Sequence, residues 1–365
     1  MNQWLSKMAC AAKCASTLFV AWTALGSGVL HAEIPDVLDR PSLQTTRASG
    51  RTMLAVTRAG TRLVAVGERG IAVWSDDNGV SWRQAAVPVS VTLTNLHFPT
   101  RDKGWAVGHG GVVLHSEDGG QTWFKQLDGV RAALLMRDFA RQDRDLPGGA
   151  ANLAEAEALV ADGPDKPFLD VYFQSETDGM VVGAYGLAFV TKDGGRNWQP
   201  WTQQIPNPQG RHLNRICATD GELWIAGEQG ALFRSTDGGR TFNEIRSPYG
   251  GSLFGLMATG GNLVAFGLRG NAFHSADHGE TWQKIDTASP STLAGGMRLA
   301  DDTLTMIDEA GRILHSSDGG RSFRPISTHG GPLIGVSQAA DGGFVLVGVQ
   351  GITRIPSLKF AEAKQ

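Results

Sequence analysis

One eight-residue pattern recurs six times along the 365-residue chain and decides what it can fold into. It reads SDDNGVSW from Ser75, SEDGGQTW from Ser116, TKDGGRNW from Thr191, STDGGRTF from Ser235, SADHGETW from Ser275 and SSDGGRSF from Ser316, with starts 41, 75, 44, 40 and 41 residues apart. A G-x-x-G step precedes the first five copies: Gly67 to Gly70, Gly108 to Gly111, Gly183 to Gly186, Gly227 to Gly230 and Gly267 to Gly270. Asp308 replaces the first glycine ahead of Gly311 in the sixth unit, and a seventh step stands at Gly348 to Gly351. The chain therefore holds seven units of about 40 residues, and the one long spacing hides an insertion of about 34.

Each unit predicts four short strands; in the second they are Leu93–Phe98, Gly104–Val107, Val112–His115 and Trp123–Leu127. Four strands in about 40–45 residues is the period of a β-propeller blade, and a lone blade cannot bury its apolar faces, so blades must stack around an axis. The expected fold is all-β: a seven-bladed β-propeller of four-stranded blades over residues 33–365, with one α-helical hairpin inserted at 129–166 between blades 2 and 3. The 48 glycines have no three-residue period, which excludes collagen and suits many tight turns. The seventh unit ends after its third strand near Ile355. Residues 33–50, chiefly Ile34–Thr46, are expected to supply its fourth strand and close the ring, with Ser357–Ala361 as the competing donor.

Residues 1–32 read as a secretory signal: Lys7 and Lys13, an apolar run from Ala15 to Leu30, and a cleavage site closed by Ala32. A periplasmic protein follows, with an uncleaved anchor as the alternative reading of that run and no later apolar run long enough to span a bilayer. Once the signal is removed Cys217 is the only cysteine left, which excludes an intramolecular disulfide and marks it as an inert core thiol. A net charge of −3 with balanced signs argues against nucleic acid as a partner.

In the repeated turn the aspartates Asp77, Asp118, Asp193, Asp237, Asp277 and Asp318 are expected to accept bonds from turn N–H groups and hydroxyls. Trp82, Trp123, Trp198 and Trp282 are expected to pack into the blades. A motif repeated six times is folding chemistry, and the EF-hand spacing is missing. No Cys/His cluster with metal-ligand spacing and no phosphate loop occurs, so no metal or cofactor is expected.

These Asp-box turns, with stretches such as RLVAVGERGIAVWSDDNGVSW and GWAVGHGGVVLHSEDGGQTW, resemble the BNR-repeat propellers of the photosystem II stability/assembly factor family over about residues 50–355. The resemblance implies a non-enzymatic lumenal or periplasmic assembly factor that binds a membrane subunit through an arginine-rich face. The expected partner is an extracytoplasmic segment of a membrane protein, bound by a monomer.

The second-to-third-strand loops share one face, opposite the Asp-box turns. Their variable residues include Arg69, His109, Tyr185, Glu228 and Arg269, the expected partner-binding set. Aligned innermost strands give a ring of Ala55, Asn95, Asp170, Arg215, Gly255, Gly295 and Gly335. Asn95, Asp170 and Arg215 form either a partner-binding cluster at the channel mouth or an Asp–Arg pair that satisfies itself. Arg211 is a further candidate for the basic patch. In the insertion, Leu134, Leu135, Met136 and Phe139 suit an amphipathic helix after Asp128, broken at Pro147-Gly148-Gly149 before a second helix. That hairpin would recognise a partner, lid the channel, or be a tolerated surface excursion.

The rival function is a sialidase-like glycoside hydrolase or glycan-binding propeller. Tyr172, Tyr185 and Tyr249 are the available nucleophiles, with Glu228 one blade beyond Tyr185. The N-terminal F/Y-R-I-P motif is absent, and Arg354-Ile355-Pro356 stands in the last unit, where it reads as chance.

Overall fold

The computed structural model describes residues 36–219 and 221–356; the expected signal and the tail donor Ser357–Ala361 lie outside them. Seven antiparallel sheets follow one another along the chain, six of four strands and the last of three. Their innermost strands are Met53–Ala59, Leu93–His97, Phe168–Phe173, Leu213–Thr219, Leu253–Thr259, Leu293–Arg298 and Leu333–Gln338. Each packs on the innermost strand of the next blade, and the seventh packs on the first, so the ring is a closed seven-bladed propeller. Every junction between neighbouring blades holds its own hydrophobic cluster. Burial thus sits between sheets, which is why the strands alternate so little: Leu63 to Val66, for example, is buried on both faces.

The Asp-box turns bind themselves together. Asp77 Oδ1 accepts from the Ser81 N–H at 2.9 Å and Oδ2 from its hydroxyl at 2.5 Å, while the Ser75 hydroxyl donates to Oδ1 at 2.7 Å. The same bonds recur at Asp118, Asp237, Asp277 and Asp318, and at Asp193 the Asn197 side-chain amide donates in place of the hydroxyl. The aromatic residue ending each turn wedges against the preceding blade: Trp82 against blade 7, Trp123 against blade 1, Trp198 against blade 2. Trp123 Nε1 also donates to the Gly120 carbonyl at 3.1 Å.

The ring closes differently from the sequence expectation. Among the described residues no strand from 36–50 pairs with blade 7, whose sheet has three strands. Residues 37–42 instead run along the connection between blades 1 and 2, where Ser42 N–H donates to the Val87 carbonyl at 3.0 Å and Ser90 N–H to the Val37 carbonyl at 2.8 Å. Those bonds occupy the backbone that was to pair elsewhere. Closure comes from side chains: the short 3₁₀ turn Ala48–Gly50 sits over the start of the strand Gly351–Ile355, and Ala48 is buried with Val345 and Val347. Arg354 reaches across the seam to donate to the Asn78 carbonyl at 2.9 Å and pairs with Asp341. The Arg-Ile-Pro triplet therefore has a structural use.

Leu38, 6% exposed, anchors the leading segment in the cluster between blades 1 and 2. Truncating it to alanine is expected to cost about 2–3 kcal/mol through the cavity left behind. Chemical unfolding measures this, and an unchanged midpoint would mean the segment is only draped on the surface.

The insertion forms two helices, α1 (Gly129–Gln142) and α2 (Gly149–Asp162). Asp128 caps α1 by accepting from the Arg131 N–H at 3.0 Å. Ala132, Leu135, Met136 and Leu159 pack on the cluster between blades 2 and 3. Helix α1 touches both the outermost strand of blade 3, Gln199–Pro200, and the G-x-x-G turn His109–Gly111 of blade 2, so the hairpin is seated at the junction of blades 2 and 3. Among the described residues no helix is long and apolar enough to cross a membrane.

Candidate functional site

Antiparallel order puts every G-x-x-G loop at the end of its blade opposite the Asp-box turn. A Cβ on Gly67 would lie 2.1 Å from the Thr52 carbonyl oxygen, the same oxygen that accepts from the Glu68 N–H at 3.1 Å. The loop is pinned to the entry of the innermost strand, and only glycine permits that approach. Gly270 answers a different need: its φ is +70°, and a Cβ there would meet the Ser289 carbonyl of the outgoing connection at 1.7 Å.

In blades 1 to 5 the chain makes one 3₁₀ turn between these glycines, and the second variable residue takes a left-handed conformation. Arg69 has φ 55°, Tyr185 56°, Gln229 51° and Arg269 57°; blade 2 places Gly110 there, at 68°. A non-glycine residue in this region costs about 1–2 kcal/mol. All four side chains are exposed, Tyr185 at 61%. Among the described residues, Arg69 and Arg269 have no ion pair. His109 is exposed on the blade 2 loop.

Glu228 and Arg211 are committed to the scaffold. Glu228 is half-buried and accepts from the His212 N–H at 2.8 Å. Arg211 pairs with Glu244 at 2.7 Å with a side chain only 10% exposed. Sequence reasoning missed the neighbours of Tyr185: the His212 ring meets it edge-on at 5.0 Å, and Lys166 Nζ lies 5.1 Å from its ring centre. Those residues come from a connection and the end of the insertion, where no repeat pattern marks them.

The ring of aligned residues is real in register. A bulge precedes the aligned position in all seven innermost strands, so Asn95, Asp170 and Arg215 pair with Val107, Val182 and Ala226 at equivalent sites. Asp170 is 3% exposed and lies at the centre of a three-blade cluster. It accepts from Asn95 Nδ2 at 2.5 Å, the Val171 N–H at 2.8 Å and the Ile216 N–H at 2.6 Å, with Arg215 Nη1 at 3.7 Å. Burial pushes its carboxyl up, and Arg215 with the three donors opposes that push. The cluster is internally saturated; of its members only Arg215, with a side chain 32% exposed, has surface left for a partner. The ring glycines do not line an opening: a Cβ on Gly255 would fall 2.0 Å from the Phe266 ring.

The hydrolase candidates do not assemble. Tyr172 meets the His97 ring at 5.1 Å in a tilted contact, Tyr249 donates to the Leu268 carbonyl at 3.4 Å, and Glu228 is held by the His212 backbone. Cys217 is partly covered, its thiol pushed up to about 12 by burial, as suits an unreactive core group.

A family model described as photosynthesis system II assembly factor YCF48 matches residues 63–138 and 158–264, about half of the chain. The gap falls inside the helical hairpin. Over 77 residues the chain is 35% identical to the photosystem II assembly lipoprotein Ycf48 of Synechococcus sp. (strain CC9902), a match spanning 21% of this chain and 23% of that relative. A solved structure of YCF48 bound to D1 peptide is 16% identical with a TM-score of 0.63, over 88% of this chain and 100% of that one. The fold extends to enzymes: the GH74 xyloglucanase from Xanthomonas campestris is 13% identical with a TM-score of 0.59, over 87% of this chain and 54% of that one. By the family match over half its length, the chain belongs to the photosynthesis system II assembly factor YCF48 family.

Proposed function

We propose that this protein is a non-enzymatic, monomeric, extracytoplasmic scaffold that binds a segment of a membrane protein on its G-x-x-G face and so assists assembly or stability of a membrane complex. The observation that carries the reading is the row of exposed side chains held left-handed at Arg69, Tyr185, Gln229 and Arg269. Glycine would relieve the strain at each, and strain kept at exposed positions is a mark of function. Two cations of that row, Arg69 and Arg269, have no counter-ion among the described residues, which suits a segment bearing carboxylates. Family membership and the peptide-bound YCF48 structure support a peptide as the ligand. The secretory pattern of residues 1–32 supports the location. The scattered tyrosines and the engaged Glu228 weigh against hydrolysis.

Photo-crosslinking in the native host, with probes at His109 and Gln229, exposed on the same face, is expected to capture one membrane protein repeatedly. The combined variant Arg69→Glu, Arg269→Glu, Tyr185→Ala should lose at least tenfold in capture with an unchanged melting curve. Capture that survives all three substitutions would sink the assignment of this face.

A further inference from the structure

The hairpin encloses something the propeller alone would not have. Between α1, α2 and the outer part of blade 3 lies a cavity of about 430 Å³, walled by Met136, Phe139, Leu159, Leu187 and Pro200. Ligand sites commonly occupy 300–1,000 Å³ and combine apolar walls with a few polar groups. The polar groups here are short of partners. Thr202 lines the cavity, and its buried hydroxyl makes no hydrogen bond among the described residues. The side-chain amides of Asn152 and Gln203, on exposed residues at the rim, make no hydrogen bond within the protein among the described residues and are free to meet a ligand.

Charge narrows the ligand class. Lys166 is the cation at the cavity, and its ammonium is already held by Asp162 at 3.2 Å and Asp165 at 2.7 Å. Glu155, exposed at the rim, has no ion pair among the described residues. The local field is therefore negative, and an anionic head group would meet Glu155 and Asp162 with no free cation to offset them.

We propose that the cavity between the helical hairpin and blade 3 binds a small amphiphile with an apolar body and an uncharged or cationic hydrogen-bonding head. The site is independent of the G-x-x-G face except for Tyr185, which borders both. Its helical wall comes from the insertion, and Phe139, Asn152 and Glu155 fall in the stretch that the family model leaves unmatched.

The test uses N-phenyl-1-naphthylamine, neutral at pH 7, as a fluorescent probe of the full chain. Saturable binding is expected, displaced by dodecylammonium below its micellar concentration and at least tenfold less well by dodecanoate. Ala158→Trp, an exposed α2 substitution at the cavity, should abolish the signal without moving the melting curve, and Glu155→Lys should reverse the preference between the two displacers. Gln203→Trp, an exposed substitution on the opposite wall, serves as the filling variant should Ala158→Trp lower the melting temperature. Absence of saturable binding, binding unaltered in a folded filled variant, or equal displacement by dodecanoate would each overturn the proposal. None of these outcomes bears on Arg69 or Arg269, so failure here leaves the partner-binding reading to its own crosslinking test.

Discussion

Replacing Asp170 with alanine is expected to lower stability by about 3–5 kcal/mol, the cost of removing one partner from a buried ionic contact. The side chain is 5% exposed, and its two oxygens receive donors from three blades: Asn95 from blade 2, Val171 from blade 3 and Ile216 from blade 4. Alanine leaves the Ile216 N–H and the Asn95 amide buried without acceptors and takes the counter-charge from Arg215. Each orphaned neutral donor alone costs about 1–3 kcal/mol. Asparagine at 170 should be intermediate, because it keeps one acceptor oxygen but turns an NH₂ toward another donor. Arg215→Ala should be milder than either, since that side chain is partly solvated already. Guanidinium unfolding at pH 7, followed by tryptophan fluorescence and by circular dichroism, gives the order. Equal midpoints for the wild type and Asp170→Ala would show that the carboxylate ties nothing together, and the cluster would return to being a candidate binding site.

The repeat made the fold legible because each Asp-box turn and each G-x-x-G step closes on itself within a few residues. Ser75, Asp77 and Ser81 bond one another, and the Gly67 loop meets its own strand entry, so local sequence carries the geometry. The ring of Asn95, Asp170 and Arg215 could be aligned for the same reason, since one bulge sets the register in every blade. Ring closure was not legible. Whether residues 37–42 pair with blade 7 or with the blade 1–2 connection depends on competing hydrogen bonds between parts of the chain distant in sequence, which no local pattern records. Three-dimensional crowding hid the reason for Gly255, Gly295 and Gly335: they read as a small-residue ring, yet Phe266, Ile307 and Val347 fill the space beside them. The hairpin's helices followed from Asp128 and the spacing of Leu135, Met136 and Phe139, whereas its seat against the His109–Gly111 turn and the Gln199–Pro200 strand depends on contacts that spacing cannot reveal.

Acid should unfold the propeller in two stages, because two sets of groups are poised to resist protons only while the chain is folded. The first set is histidine. Burial holds His97 down at about 4, and His115, His274 and His315 are also lowered by burial. An unfolded histidine takes its proton near pH 6.5. Between that value and the folded one the unfolded state binds more protons, so stability falls as the pH drops from about 6.5 to about 4. The second set is the Asp-box carboxylates. The Ser81 hydroxyl, with the Ser81 N–H and the Ser75 hydroxyl, holds Asp77 at about 2, and the Thr281 hydroxyl and N–H hold Asp277 at about 2. The Thr241 N–H and hydroxyl draw Asp237 lower still, and Asn197 lowers Asp193. In Asp118 and Asp318 burial pushes the other way and the same turn bonds outweigh it. These folded values lie below the unfolded one near 3.9, so the stability from the six turns is complete above about pH 4 and is lost as the pH falls toward 2. The six losses coincide, which makes the second stage the steeper. Melting temperatures recorded from pH 8 to pH 2 should show a plateau above pH 7, a shallow decline to pH 4 and a sharp fall below it. His97→Gln, which can still accept from the Phe173 N–H, should flatten the shallow limb and leave the sharp one in place. A curve flat from pH 4 to pH 2 would mean that the repeated aspartates do not hold their turns as carboxylates.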